Sequence, residues 1–366
     1  CDPKVVEVMQ PYFSEQYGNP NSLHKFGSSI HPALMTAIDQ VYTALNAADA
    51  DDIVFTSGAT ESNNMAIYAL CALSRFYHKK QVIISAIEHK CVIEAARHWT
   101  SVFELDLKVL TVDRDGYIDQ QQLIQLLRTP TLFCSVIAAN NEIGTVQKLD
   151  EISKAVNEAG AVFHSDCAQA LKTDLSINLT DHVDVASFSG HKIGGPQGIG
   201  CIYISADLQE KFAPLMLGGG QQNGIRSGTL PLPLCVGLGQ AFEDLEKLEF
   251  SKIRNVRDTL FYSLKDKISG LGLNGPRLEL RHACNLNIFV PNFESSDLIA
   301  SVQPKLAISS GSACGSGNIE PSHVLGALPT EIEIEKNSIR LSVNEQTTEQ
   351  DVVAAAEILR DACANL

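Results

Sequence analysis

One amine stands at the end of an apolar strand: Asp184-Val-Ala-Ser-Phe-Ser-Gly-His191-Lys192 runs into the glycine-rich turn Ile193-Gly-Gly-Pro-Gln-Gly-Ile-Gly200. Lysine is strongly hydrated, so an amine carried by such a strand into a tight turn points to a nucleophile or Schiff base, the plain alternative being a surface lysine after a strand. A second apolar run, Ala161-Val-Phe-His-Ser-Asp166, ends on a carboxylate, which is costly there without a partner and is expected to face a cation. Ser57-Gly-Ala59-Thr60 follows the apolar strand Asp52–Thr56 and precedes a helical run from Asn64 to Leu73. Small residues let a ligand approach the backbone, and free N–H groups at a helix start attract an anion. Ala59 and Thr60 are therefore candidate phosphate holders, although Thr60 serves equally as an ordinary helix cap. His89 and Asn141 lie at further strand ends, where ligands of open α/β sheets bind, and His89 is also compatible with a structural role.

Two more residues stand apart from this group. Cys314, in Ser309-Ser-Gly-Ser-Ala-Cys314-Gly-Ser-Gly317, has glycine and serine around it where a structural cysteine wants apolar neighbours, so its setting favours a reachable, reactive thiol. Arg340, on a strand with apolar neighbours, calls for a carboxylate from the protein or a substrate. An amine, a strand-end carboxylate, an imidazole, a hydroxyl and a phosphate-ready helix start together describe a site for pyridoxal 5'-phosphate. There the lysine forms the Schiff base and the carboxylate keeps the pyridine nitrogen protonated. The phosphate-loop pattern of nucleotide-binding proteins is absent, and no His/Cys spacing resembles a zinc site.

Strands must deliver these groups to one mouth of a sheet. Apolar runs at 52–56, 81–86, 107–111, 132–138, 161–166, 184–189 and 199–205 alternate with helical patterns, including one from Phe26 to Leu45, which predicts a mostly parallel sheet with helices on both faces. Gly218-Gly-Gly-Gln-Gln-Asn-Gly-Ile-Arg226-Ser-Gly-Thr229 is too polar and glycine-rich for either element, and reads as a loop with a function or a linker. A helical pattern from Val236 to Lys267 leads into strands near 285–290, 306–309 and 338–343 and a helix from Thr348 to Ala364. The expected division is a large domain at 1–245 and a smaller α+β domain at 246–366.

Composition bounds the function. A net charge of −15 argues against direct nucleic-acid binding, which is driven by basic surface. No apolar run has the ~18 residues needed to span a bilayer, and no signal peptide is apparent. The ten cysteines lack Cys-x-x-Cys pairing and mostly sit among Leu, Val, Ile and Ala, a pattern of reduced thiols in the cytoplasm.

The motifs Gly18-Asn-Pro-Asn-Ser-Leu-His24, Phe55-Thr-Ser-Gly-Ala-Thr60-Glu-Ser-Asn, Glu88-His-Lys90, Asn140-Asn-Glu-Ile-Gly144, His164-Ser-Asp166-Cys-Ala-Gln169, Ser187-Phe-Ser-Gly-His-Lys192, Arg226-Ser-Gly-Thr229 and Ser309-Ser-Gly-Ser-Ala-Cys314 occur in that order over nearly the whole chain. Together they resemble the cysteine desulfurases of the NifS/IscS type, in the class-V aminotransferase superfamily of fold-type I pyridoxal phosphate enzymes. The resemblance implies an α/β large domain built on a mostly parallel sheet of about seven strands, plus a smaller α+β domain. It implies that Lys192 binds the cofactor, Asp166 pairs with the ring nitrogen, Gln169 and Asn141 touch the ring or its substituents, and His89 stacks on the ring and helps proton transfer. Thr60, Ser189 and His191 would hold the phosphate, Thr229 would reach the neighbouring subunit's phosphate in a homodimer, and Arg340 would take the carboxylate of L-cysteine. The Cys314 thiolate would then take the substrate sulfur as a persulfide, release alanine and pass sulfur to an acceptor protein, for iron-sulfur cluster assembly or another thio-modification.

The sequence departs from the family pattern at Gln197, where members often have Lys, and at Gly315, where Ser or Thr is usual. A family Ala-Thr-Thr-Pro segment and the longer C-terminal tail used to dock scaffolds are not in it. Ser85-Ala-Ile-Glu-His and Leu230-Pro-Leu-Pro-Leu are similar to the branch that supplies sulfur for DNA phosphorothioation. A class-V aminotransferase or lyase would share the cofactor site but has no use for Cys314, which separates the readings.

Overall fold

The computed structural model describes residues 1–173, 179–310, 321–330 and 334–365. Its larger sheet contains β1 (Asp52–Thr56), β2 (Gln81–Ser85), β3 (Asp106–Leu110), β4 (Thr131–Ser135), β5 (Val162–Asp166), β6 (Val185–Ser189) and β7 (Gly200–Ile204). The spatial order is β1-β7-β6-β5-β4-β2-β3. Strand β7 runs antiparallel to both of its neighbours, and the other pairings are parallel. β2, β4, β6 and β7 are buried at every residue, which is why their sequences are apolar runs with little alternation: helices cover both faces. Along β7, Cys201 and Tyr203 join one apolar cluster while Ile202 and Ile204 join another, so each face of the sheet has its own core.

The expected helix from Asn64 starts earlier, and the element runs Ala59–Ala72. Ser62 and Asn63 look like turn residues in the sequence but are buried inside this helix because each has a partner. The Ser62 hydroxyl donates to the carbonyl of Cys201 at 3.1 Å, and the Asn63 amide donates to Asp166. The pattern expected from Phe26 to Leu45 divides into a turn of helix, Lys25–Ser28, and the helix His31–Leu45, with Pro32 in the first turn of the second, where its missing N–H costs nothing. The expected run from Val236 to Lys267 likewise divides into Leu232–Glu243 and Phe250–Lys267, separated by a short 3-10 turn, Asp244–Lys247.

Beyond that break, β8 (Gly272–Leu273), β9 (Asn285–Phe289), β10 (Ser309–Ser310) and β11 (Ser338–Ser342) form an antiparallel sheet in the order β10-β11-β9-β8. Leu264, Leu286, Ile339 and Leu359 belong to a separate apolar cluster that joins this sheet to the helices Phe250–Lys267 and Glu349–Asn365. β8 has no strand-like signal, and the strand expected near 306–309 is reduced to two residues.

Candidate active site

The parallel strands end on one side of the large sheet, and there a cavity of about 630 Å³ opens. Ala59, Thr60, His89, Asn141, Asp166, Gln169, Ser189, His191, Lys192 and Arg340 all line it. Thr229 does not; it is exposed at the end of the glycine-rich loop. Cys314 lies outside the described residues.

Asp166, the last residue of β5, is only 3% exposed. One carboxyl oxygen accepts from the Asn63 side-chain amide at 2.7 Å and the other from the backbone N–H of Ala168 at 2.9 Å. Burial raises its pKa, against the Ala168 N–H, the positive charge of His89, the Asn63 amide and the positive charge of Lys192. A carboxyl poised in this way is stabilised in its charged form by a protonated base brought against it.

His89 caps the helix Lys90–Val102, its Nδ1 accepting the backbone N–H of Cys91 at 3.2 Å. An N–H can only donate, so in the neutral ring the proton resides on Nε2. The Cys91 sulfur lies 3.0 Å from the same Nδ1 and accepts from Asn63 at 3.3 Å. Burial, then the charge of Asp166, pushes this thiol up to about 12, so it stays protonated and acts as a polar neighbour rather than a nucleophile. Beneath them Glu88 is fully buried. Its Oε1 accepts from the Ser85 hydroxyl at 2.5 Å and the Ile137 N–H at 2.7 Å, fastening the end of β2 to the segment after β4. Burial pushes Glu88 up to about 8, which keeps it neutral.

The turn after β1 leads directly into the helix Ala59–Ala72. Among the described residues no side chain caps the helix at Gly58, so its first N–H groups remain available to an anion. Thr60 lies inside the first helical turn and does not cap it. Gly58 adopts φ 147°, and a side chain on Gly200, the first residue of β7, would place its Cβ 2.7 Å from the Gly58 Cα. Two glycines therefore let this turn close onto the sheet. On the other side the Ser189 hydroxyl and His191 Nδ1 lie 3.0 Å apart. Burial, then the charge of Lys192, lowers the His191 pKa.

The glycine-rich loop is fastened to this turn. Arg226 makes two bonds to Glu61, Nε to Oε1 at 2.7 Å and Nη2 to Oε2 at 3.3 Å, and Glu61 also accepts the Ser57 N–H at 2.7 Å. The Gln222 amide pairs with the backbone of Phe55 as a further strand would, accepting its N–H at 2.7 Å and donating to its carbonyl at 3.0 Å.

Arg340, on β11, reaches across from the second sheet and donates to the Asn141 carbonyl at 3.2 Å. Beside it Glu142 is buried, its Oε2 accepting the Ser322 hydroxyl at 2.5 Å. Burial, opposed by Ser322 and the charge of Arg340, raises Glu142 to about 7. Asn63, Glu88, Cys91, Glu142 and His323 are wall or support residues that sequence reasoning did not single out. Glu88 did carry a signal, a charge set directly after an apolar run.

The donor set fits pyridoxal phosphate: a buried carboxyl that gains from a protonated ring nitrogen, an amine in the turn after the next strand, uncapped helix N–H groups beside a hydroxyl and an imidazole, and an arginine opposite. Fold and site define a pyridoxal-phosphate enzyme of fold type I. The family model for aminotransferase class-V matches residues 1–354. The cysteine desulfurase IscS of Rickettsia bellii is 40% identical over 366 aligned residues, covering 98% of this chain and 87% of that protein. A solved NifS-like protein superposes with a TM-score of 0.89 at 30% identity, over 100% of this chain and 96% of that one. The structure described as SspA in complex with cysteine gives a TM-score of 0.81 at 32% identity, over 93% and 95% of the two chains. The chain belongs to the class-V aminotransferase family and, within it, to the cysteine desulfurases.

Proposed function

We propose that this cavity takes L-cysteine, releases L-alanine and passes the sulfur to Cys314 as a persulfide for delivery to an acceptor protein, in iron-sulfur cluster assembly or another thio-modification. The observation that carries the reading is the single cavity that Asp166, Lys192, His89 and Arg340 share. Bound pyridoxal phosphate supplies an electron sink for bond breaking at the substrate's α- and β-carbons. Lys192 would hold it covalently, and Asp166 would hold the proton of its ring nitrogen. The Ala59 and Thr60 N–H groups, Ser189 and His191 would take its phosphate, while Asn141 and Gln169 would meet the ring substituents.

His89, held through Nδ1, faces the ligand with a proton on Nε2, which suits it to stack and to move a proton at that atom. Arg340 would bind the substrate carboxylate and fix which α-substituent faces the lysine. The Cys314 thiolate would attack the substrate sulfur. The carbon–sulfur bond breaks, its electron pair passes to the carbon skeleton that leaves as alanine, and the sulfur remains on Cys314.

We also place the chain in a cytoplasmic homodimer, with Thr229 reaching the neighbouring subunit's phosphate. Tyr17, Leu23, Phe26 and Leu217 support the dimer, because large apolar side chains 75%, 101%, 72% and 84% exposed are unusual on a lone subunit. The separate apolar cluster after residue 250 supports the two-domain division at 245 and 246. Among the described residues no helix is long and apolar enough to cross a membrane. The test is alanine formation from L-cysteine by protein supplied with pyridoxal phosphate and a thiol reductant. The intact protein is expected to be yellow and active and Lys192→Ala inactive; full alanine formation by Lys192→Ala would contradict the assignment.

A further inference from the structure

One thiol in the cavity wall is not used by the roles above. Cys91 stands in the first turn of the helix Lys90–Val102 and lines the same cavity as His89, Asp166 and Lys192. Its sulfur lies 3.0 Å from His89 Nδ1, and that nitrogen also accepts the backbone N–H of Cys91 at 3.2 Å. A ring nitrogen that accepts carries no proton, so the one hydrogen available between sulfur and ring is the thiol's own. Burial, then the charge of Asp166, keeps the thiol protonated against hydrogen bonds from Asn63 and Thr60, so at neutral pH that hydrogen is there to give.

The sulfur also accepts. The Asn63 side-chain amide lies 3.3 Å from the Cys91 sulfur and 2.7 Å from Asp166 Oδ2, one N–H for each. Asn63 is fully buried, and its own Oδ1 has no donor among the described residues, so these two acceptors decide which way the amide points. Reversing it would set an oxygen against the carboxyl and lose both bonds. Every bond therefore has a direction: Asn63 donates to Asp166 and to Cys91, Cys91 donates to His89, and His89 is left with its hydrogen on Nε2. We propose that Cys91 is a positioning residue for His89, its thiol donating to Nδ1 and tying the imidazole through Asn63 to Asp166. This rests on the reading that His89 acts at Nε2. Two donors on one lone pair hold the plane of the ring as well as its tautomer, the kind of support that a reacting group needs from the residues behind it.

The experiment reads the ring nitrogens of His89 by NMR in holoenzyme made with isotope-labelled histidine, the signals being assigned by their loss in His89→Gln, beside the steady-state rate of alanine formation. The native protein is expected to show a proton on Nε2 and a bare, hydrogen-bonded Nδ1. Cys91→Ala should move the Nδ1 resonance toward that of a free lone pair and lower kcat about two- to fivefold with the KM for L-cysteine unchanged. Cys91→Ser restores a donor on a smaller side chain and should return both readings toward the native values, which a role in packing alone would not do. A native His89 with its proton on Nδ1, a resonance that Cys91→Ala leaves in place, or no recovery in Cys91→Ser overturns the proposal while the function stands. If Cys91→Ala does not fold, the native signal decides: a hydrogen-bonded, unprotonated Nδ1 supports the proposal and a protonated one overturns it. Full activity in His89→Gln overturns the role given to His89, and this proposal with it.

Discussion

The carboxyls around the cavity are all raised by burial, but their partners differ. Asp166 sits among positive charges and amide donors, whereas Glu88 is closed in by a hydroxyl, one N–H and apolar chain. Glu88 is raised from an ordinary carboxyl value to about 8, so between about pH 4.5 and 8 the folded state holds a proton that the unfolded state has released. Stability from this group is therefore full below the unfolded pKa and is lost as pH rises through the folded one, at up to about 1.4 kcal/mol per pH unit. Glu88→Gln should remove that slope from denaturation midpoints measured across the range, and Glu88→Ala should cost about 1–3 kcal/mol by stranding the Ile137 N–H. An unchanged slope in Glu88→Gln would mean that the carboxyl is charged in the native protein. Asp166→Ala should weaken cofactor binding and cut alanine formation at least ~100-fold, read by absorbance and steady-state rate.

Lys192 and Asp166 were legible in the sequence because each sets a charge after an apolar run, and Ala59 because it lies in a small-residue turn before a helix. Asn63, Cys91 and His323 were not, because their meaning depends on neighbours far along the chain: Asn63 meets Asp166, and His323 meets the Glu88 carbonyl.

At the scale of elements, the turn at Gly58, proposed to hold the phosphate, depends on close approach. Gly200→Ala would push a methyl group into the Phe188 carbonyl and the Gly58 backbone, and should destabilise the protein by about 1–3 kcal/mol and weaken cofactor retention with it. Wild-type retention and stability in Gly200→Ala would show that the turn has room to move. The Arg226–Glu61 pair and the Gln222 amide hold the glycine-rich loop against the edge of β1, which makes that loop a fastened element beside the turn at Gly58 rather than a free linker. Sequence patterning found the inner strands of the large sheet because they are buried on both faces. It missed the helix start at Ala59 because buried polar residues there read as turn, and missed β8 because two residues carry no periodicity.

At the scale of the whole molecule, the alternation of strands and helices and then the change to a mixed pattern were both visible in the sequence, and they correspond to two sheets and a separate C-terminal core. The exposed apolar side chains were not, since exposure depends on what the fold leaves uncovered. Light scattering should give the mass of a dimer, and the double variant Leu23→Asp, Phe26→Asp should shift it toward the monomer; a wild-type protein that is monomeric at micromolar concentration would exclude the dimer assignment.

The central claim is that sulfur leaves L-cysteine for the thiol of Cys314, and the most direct measurement is sulfide and alanine release with a thiol reductant by the intact protein and by Cys314→Ala. The account expects both proteins to be yellow with bound cofactor and only the intact one to release sulfide. Full activity in Cys314→Ala would contradict it and leave an aminotransferase or lyase in its place.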